Sequence, residues 1–239
     1  NDVIIAAARL IPENSFSDRF LISEWDQVVD GWQVRSWEAY RDVLRLGRKT
    51  RLAESKRKVI WNILSQVREQ LKSDGVKTIS EMFGELAAQL KASSSLPFDY
   101  AVIDEAQDVS VAQLRFLAAL NQRESDSLFF AGDLGQRIFQ QPFSWKALGA
   151  DIRGRSFSLK INYRTSHQIR MKADKLLGPE VADVDGIIEN RRGTISVFNG
   201  PNPTLLTFDS EAEEIRTVAE WIKARFEDGL KANELGVFV

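Results

Sequence analysis

Three short clusters carry side chains that could do chemistry on a phosphate. They are Asp104-Glu105, Gly132-Asp133 with Gln136, and Asn162-Tyr163-Arg164. Each follows a stretch, at 99–103, 127–131 and 157–161, that reads as a strand. Buried without partners, such groups would be costly, so they belong at strand ends facing solvent or a ligand. In open α/β sheets ligands bind beyond the carboxyl ends of the strands. Together the clusters supply carboxylates, an amide and a guanidinium, the set a nucleoside triphosphate site needs. One carboxylate can hold Mg²⁺, largely through water, because that ion keeps much of its hydration shell. A second can take a proton from an attacking water, an amide can orient that water, and an arginine can neutralise charge that develops in phosphoryl transfer.

The surrounding elements must bring these clusters to one edge. Residues 1–95 read as mainly helical, with Val59, Ile60, Ile63, Leu64, Val67 and Leu71 on one helix face. Four tryptophans fall there, Trp25, Trp32, Trp37 and Trp61, and read as packing residues. A serine-rich breaker with Pro97 closes this part. Strands then alternate with helices. A helix at 110–120 opens with a capping-box pattern, Ser110 with Gln113, and another helix is expected at 167–177. A strand at 194–198 precedes a helix begun by Ser210 and Glu213, with Ile215, Val218, Ala219, Ile222 and Phe226 as its apolar stripe. The end of the chain, 235–239, reads as a further strand. This alternation predicts an α/β fold with a mostly parallel sheet.

Composition narrows the functional classes. The chain has 239 residues, of which 44% are hydrophobic and 28% charged, and its formal net charge is -2. Any anion-binding surface is therefore a local patch. There are no cysteines and one histidine, so disulfides, thiolate metal sites and multi-histidine metal sites are excluded. No apolar run has the length of a membrane span, and the lack of cysteine leads to the expectation of a cytoplasmic setting.

The order and spacing of the clusters resemble superfamily 1 DNA helicases of the UvrD/Rep type. VIDEAQD (102–108) resembles their second motif, a Walker B strand, FAGDLGQRIF (130–139) their third, and INYRTS (161–166) their fourth. The resemblance implies a partial RecA-like P-loop NTPase domain at 96–155, a helical insertion subdomain at 1–95, and the start of a second RecA-like domain at 156–239. It implies ATP and Mg²⁺ as cofactors, single-stranded DNA and duplex junctions as partners, and a place in DNA repair. Asp104 then matches the residue holding Mg²⁺, with Glu105 beside it as the general base. Gln107 and Asp108 complete the motif and link nucleotide state to neighbouring elements. Gln136 matches the sensor of the terminal phosphate, Tyr163 an aromatic stacked on adenine, and Arg164 an arginine finger. Trp145 resembles the tryptophan that stacks on a single-strand base. QQPFS (140–144) intervenes before it, and Phe143 is the local rival.

The pattern G-x-x-x-x-G-K-[ST], which cradles phosphates in this family, does not occur in the chain. It is expected upstream, and the fifth and sixth motifs downstream, of an internal fragment that alone hydrolyses ATP negligibly. RLGRKTRLAESKRK (45–58) carries seven Lys/Arg against Glu54. Arg48, Lys49 and Arg51 are candidates for contact with DNA phosphates. The rival readings are a non-catalytic DNA-binding or scaffold module with a helicase-derived fold, and part of a helicase–nuclease.

Overall fold

The computed structural model describes residues 1–43, 52–121, 126–137, 142–176, 178, 180–190 and 192–238. The chain divides into two compact units, 1–160 with 177–194, and 161–176 with 195–239.

The first unit begins with helices. They are α1 (Asp2–Arg9), α2 (Asp18–Glu24), α3 (Trp37–Asp42), α4 (Glu54–Ser73) and α5 (Ile79–Ala92). The hydroxyls of Ser17 and Ser36 cap α2 and α3 by accepting the amides of Phe20 and Ala39. α2 runs into a single π-helical turn, Trp25–Val29. The predicted face of α4 is the one buried: Ile60, Ile63, Leu64 and Val67 are fully covered, and Val59 and Leu71 pack at its margin. Trp25 joins this core, and Trp32, Trp37 and Trp61 lie at its edge. Within it, the Tyr40 hydroxyl donates to the buried Glu24 carboxylate at 2.8 Å. Arg68 of α4 donates to the Val34 carbonyl at 2.7 Å and lies over the Trp25 ring.

α5 ties this helical part to α6 (Val111–Leu120). Thr78 and Glu81 form a reciprocal capping box at the start of α5. The same Thr78 hydroxyl donates to Asp30 Oδ1 at 2.7 Å. Burial pushes the Asp30 carboxyl above its ordinary range, and the hydrogen bonds from Thr78 and Ser80 work against that rise. Where α5 packs on α6, the Phe83 and Phe116 ring centroids are 5.4 Å apart. Arg115 of α6 donates to the Trp32 carbonyl at 2.9 Å and sits over its ring.

The strands are shorter than the stretches that predict them. β1 (Ala101–Ile103) and β2 (Leu128–Phe130) pair in parallel, in register Ala101↔Leu128. Ile103 and Phe130 face a second core with Leu114, Phe143 and Trp145, whereas Val102 and Phe129 point to solvent. β4 (Glu180–Ala182) and β5 (Ile188–Asn190) form an antiparallel hairpin that no pattern in the sequence announces.

The second unit holds β3 (Ile161–Asn162), parallel to β6 (Ile195–Ser196), with α7 (His167–Ala173) and α8 (Glu211–Glu227). The strand expected at 157–161 is confined to its last residue and Asn162. Phe157 and Leu159 are 90% and 92% exposed and carry no strand pairing. Ser210 caps α8 by accepting the Glu213 amide, which is half of the expected box. The α8 stripe is present but largely open, with Ile215, Val218 and Phe226 exposed. Residues 235–238 form no strand. The α/β expectation is met as a mixed helix and strand architecture with three two-stranded sheets among the described residues, two of them parallel.

Thr78→Val keeps the side-chain shape but removes both the helix cap and the proton shared with Asp30. It should lower stability by about 1–3 kcal/mol, read by urea denaturation.

Candidate functional site

β1 and β2 end side by side, and their ends are joined by more than strand pairing. The Ala131 amide donates to the Ile103 carbonyl at 2.8 Å, and the Ala106 amide donates back to the Ala131 carbonyl at 2.8 Å. Between these bonds the chain turns at Asp104-Glu105. Glu105 is left-handed, with φ 50° and ψ 42°. For a residue with a side chain, such a conformation costs on the order of 1–3 kcal/mol and is held by its surroundings. Here the restraint is local: the Glu105 amide donates to Asp104 Oδ1 at 2.9 Å, and a 3₁₀ turn, Ala106–Asp108, follows. Both carboxylates are exposed.

Gln107 occupies the centre. It is buried, and its amide is committed at both ends. Nε2 donates to Glu105 Oε2 at 2.6 Å, and Oε1 accepts the Asp133 amide at 3.0 Å. Asp133 in turn accepts the Gly135 amide at 2.8 Å on Oδ1 and Gln136 Nε2 at 3.0 Å on Oδ2. Glu105, Gln107, Asp133 and Gln136 therefore form one hydrogen-bonded chain across the two strand ends. Gly132 makes the approach possible. A Cβ there would stand 2.6 Å from Gln107 Oε1 and 3.0 Å from the Ala106 amide nitrogen.

Beside this chain lies an open groove of about 490 Å³ lined by Asp104, Glu105, Asp108, Val102, Phe83 and Phe116, among others. Its charged groups are carboxylates, so a phosphate would need a bridging cation to enter. Among the described residues, no group of three or more His, Cys, Asp or Glu is placed to hold a metal ion. A donor set of one or two carboxylates suits Mg²⁺, which completes its octahedron with water and phosphate oxygens.

The other candidates fall elsewhere. Tyr163 and Arg164 are exposed residues of the second unit. Their turn is set by Asn162, whose Oδ1 accepts the amides of Arg164 and Thr165, both at 2.9 Å. Phe143 and Trp145 are 1% and 3% exposed. Their rings pack on each other at 5.6 Å, and Phe130 meets Trp145 edge-on at 5.0 Å. The expected open stacking surface is therefore covered, because both rings complete the core beneath β1 and β2. Arg48, Lys49 and Arg51 lie outside the described residues. Asp133 was legible only as part of the Gly-Asp cluster. Its hydrogen-bonding role follows from the Asp-x-x-Gln spacing once the turn Leu134–Gln136 is formed.

The family model for the UvrD/REP helicase N-terminal domain matches residues 24–151. That span includes α3 to α6, both strand ends and the whole hydrogen-bonded chain. The chain belongs to the UvrD/Rep helicase family. No curated protein matches the sequence. Among the described residues, no helix is long and apolar enough to cross a membrane.

Gly132→Ala should destabilise the fold by about 1–3 kcal/mol, because neither the backbone nor the committed amide of Gln107 can give way freely. Gly84→Ala in α5, where the nearest foreign atom is 3.7 Å from the added Cβ, should stabilise it by about 0.5–1 kcal/mol. Parallel urea titrations of the two variants check the contrast.

Proposed function

We propose that this chain is part of an ATP-driven motor that moves along single-stranded DNA and separates duplex strands. The observation that carries the reading is the continuous hydrogen-bonded chain from Glu105 through Gln107 and Asp133 to Gln136. In this reading Glu105 accepts the proton of the attacking water. Its Oε2 takes a hydrogen bond from Gln107, which fixes the carboxylate's orientation. Gln136 presents its side-chain amide to the terminal phosphate, and its present partner Asp133 releases it when nucleotide enters. The two strand ends would then report to each other whether a phosphate is present. Asp104, assisted by Glu105, would hold Mg²⁺ largely through water. When bound, the ion would neutralise charge on the phosphate oxygens.

Tyr163 would stack on the adenine and Arg164 would neutralise charge developing on the transferred phosphoryl group, both from a second motor domain. The organisation proposed is a helical insertion at 1–95, the later part of a first RecA-like domain at 96–155, and the opening of a second at 156–239. Phe143 and Trp145, covered in this structure, would supply base stacking only once uncovered, about 1–3 kcal/mol per base and indifferent to sequence. Arg48, Lys49 and Arg51 would contact DNA phosphates. The scaffold reading gives no reason for a buried amide to hold the proposed base and the phosphate sensor in one chain.

The test is single-strand-stimulated ATP hydrolysis by an intact protein that carries this segment together with a phosphate-binding loop. Glu105→Gln should lower turnover by about 10²–10⁴-fold while ATP still binds. The 239-residue chain alone should be silent, having no phosphate-binding loop pattern in its sequence. Unchanged turnover in Glu105→Gln would refute the general-base role. Reversing charge at Arg48, Lys49 and Arg51 should weaken DNA binding and flatten its dependence on salt. The log–log slope should fall by about 0.9 for each duplex phosphate no longer neutralised. Fluorescence anisotropy at three salt concentrations measures this.

A further inference from the structure

The β4–β5 hairpin fastens the segment that carries Phe143 and Trp145. Its turn is built on Asp183, whose Oδ1 accepts the amides of Asp185 and Ile187 at 2.9 and 2.8 Å. The Asp183 amide closes the turn onto the Ile187 carbonyl at 3.0 Å, and Gly186 takes the left-handed φ of 77°. This presents Asp185 to both flanks of Trp145. One carboxylate oxygen accepts the Ser144 hydroxyl, and the other accepts the Lys146 amide at 3.1 Å. Ser144 Oγ also accepts the Ala147 amide at 2.9 Å, which sets the short 3₁₀ turn Lys146–Leu148. β4 lies against the Leu134–Gln136 turn as well.

The covered arrangement is imperfectly satisfied. A cavity of about 100 Å³ is lined by Trp145, Asp183, Ile187, Gln107, Phe130 and Ile152, among others. Trp145 Nε1 and Asp183 Oδ2 are buried and have no hydrogen-bond partner among the described residues. Arg137 lies over Phe143 at 4.8 Å and Trp145 at 5.9 Å, with its own Nε and Nη2 buried and unpaired among the described residues. Each unmet buried polar group costs about 1–3 kcal/mol, a cost that exposure to water removes. The closed state is therefore held by few polar bonds and burdened by several unmet ones.

We propose that the β4–β5 hairpin is a clasp: Asp185 holds the Phe143–Trp145 pair covered, and its release uncovers the pair for a base of single-stranded nucleic acid. The proposal rests on the base-stacking role given above and adds its control. If only a fraction of molecules is uncovered, the apparent dissociation constant is raised by the inverse of that fraction. Weakening the clasp should then tighten binding, whereas damage to a purely structural support would loosen it. Because β4 also touches the Leu134–Gln136 turn, movement of Gln136 is positioned to reach the clasp.

The experiment uses the chain and its Asp185→Ala variant, each titrated with a labelled oligothymidylate and separately with acrylamide. Expected are a several-fold gain in oligothymidylate affinity and greater quenching of tryptophan emission. The gain in quenching should vanish when Trp145→Phe is added to both proteins. Unchanged quenching and affinity in a folded Asp185→Ala protein would overturn the clasp. Greater quenching with unchanged affinity would show that Asp185 controls exposure and would overturn the base-stacking role. Should Asp185→Ala lose its helical circular dichroism, Asp185→Asn, which retains one acceptor oxygen, carries the same comparison with a smaller effect.

Discussion

A single buried amide, that of Gln107, joins the two strand ends on which the site is built. Its nitrogen is committed to Glu105 and its oxygen to the backbone of Asp133, and the residue is 4% exposed. In a low-dielectric setting such bonds strengthen one another, and a broken one leaves a costly orphan. The absence of a side chain at Gly132 follows from this, as does the short path between the carboxylate after β1 and Gln136 after β2. The two ends are thus separated by only a few hydrogen bonds, with no large element between them.

The helical part serves the same arrangement from behind. α6 follows the Asp104–Asp108 segment directly, and its orientation is set by Phe83 of α5 and by Arg115 reaching the Trp32 carbonyl. α5 in turn is anchored where the Thr78 hydroxyl joins its own cap to Asp30. The helical part is thus continuous with the strand ends through named polar bonds, and its core of α4 side chains packs behind them.

What the sequence disclosed was what depends on near neighbours. The Ser110–Gln113 capping box, the buried face of α4 and the carboxylates after β1 were legible because each needs only residues a few positions apart. The family was legible for the same reason, since its motifs are local and ordered. Residues 157–160 looked like a strand because Phe157 and Leu159 alternate with Ser158 and Lys160, yet alternation does not supply a partner, and Phe157 and Leu159 are left open. Two interactions had no local signature. The covering of Trp145 depends on Asp185, far along the chain, and the bridge from Gln107 to Asp133 spans a helix and a strand. The hairpin itself escaped notice because its strands are three residues each and its turn is specified by one aspartate side chain.

The left-handed backbone at Glu105 has a consequence for how this chain would drift if only its folding mattered. Glycine reaches that conformation without the steric cost a glutamate meets, against an entropic loss of about 0.5–1 kcal/mol. Glycine would, however, leave Gln107 Nε2 without the Glu105 carboxylate that accepts it, and an unmet buried donor costs about 1–3 kcal/mol. The relief of backbone strain and the loss of this acceptor are of similar size and opposite sign, so a screen for folding alone would discriminate weakly between the two residues at 105. Thermal stability is therefore a poor guide to whether this carboxylate has been preserved.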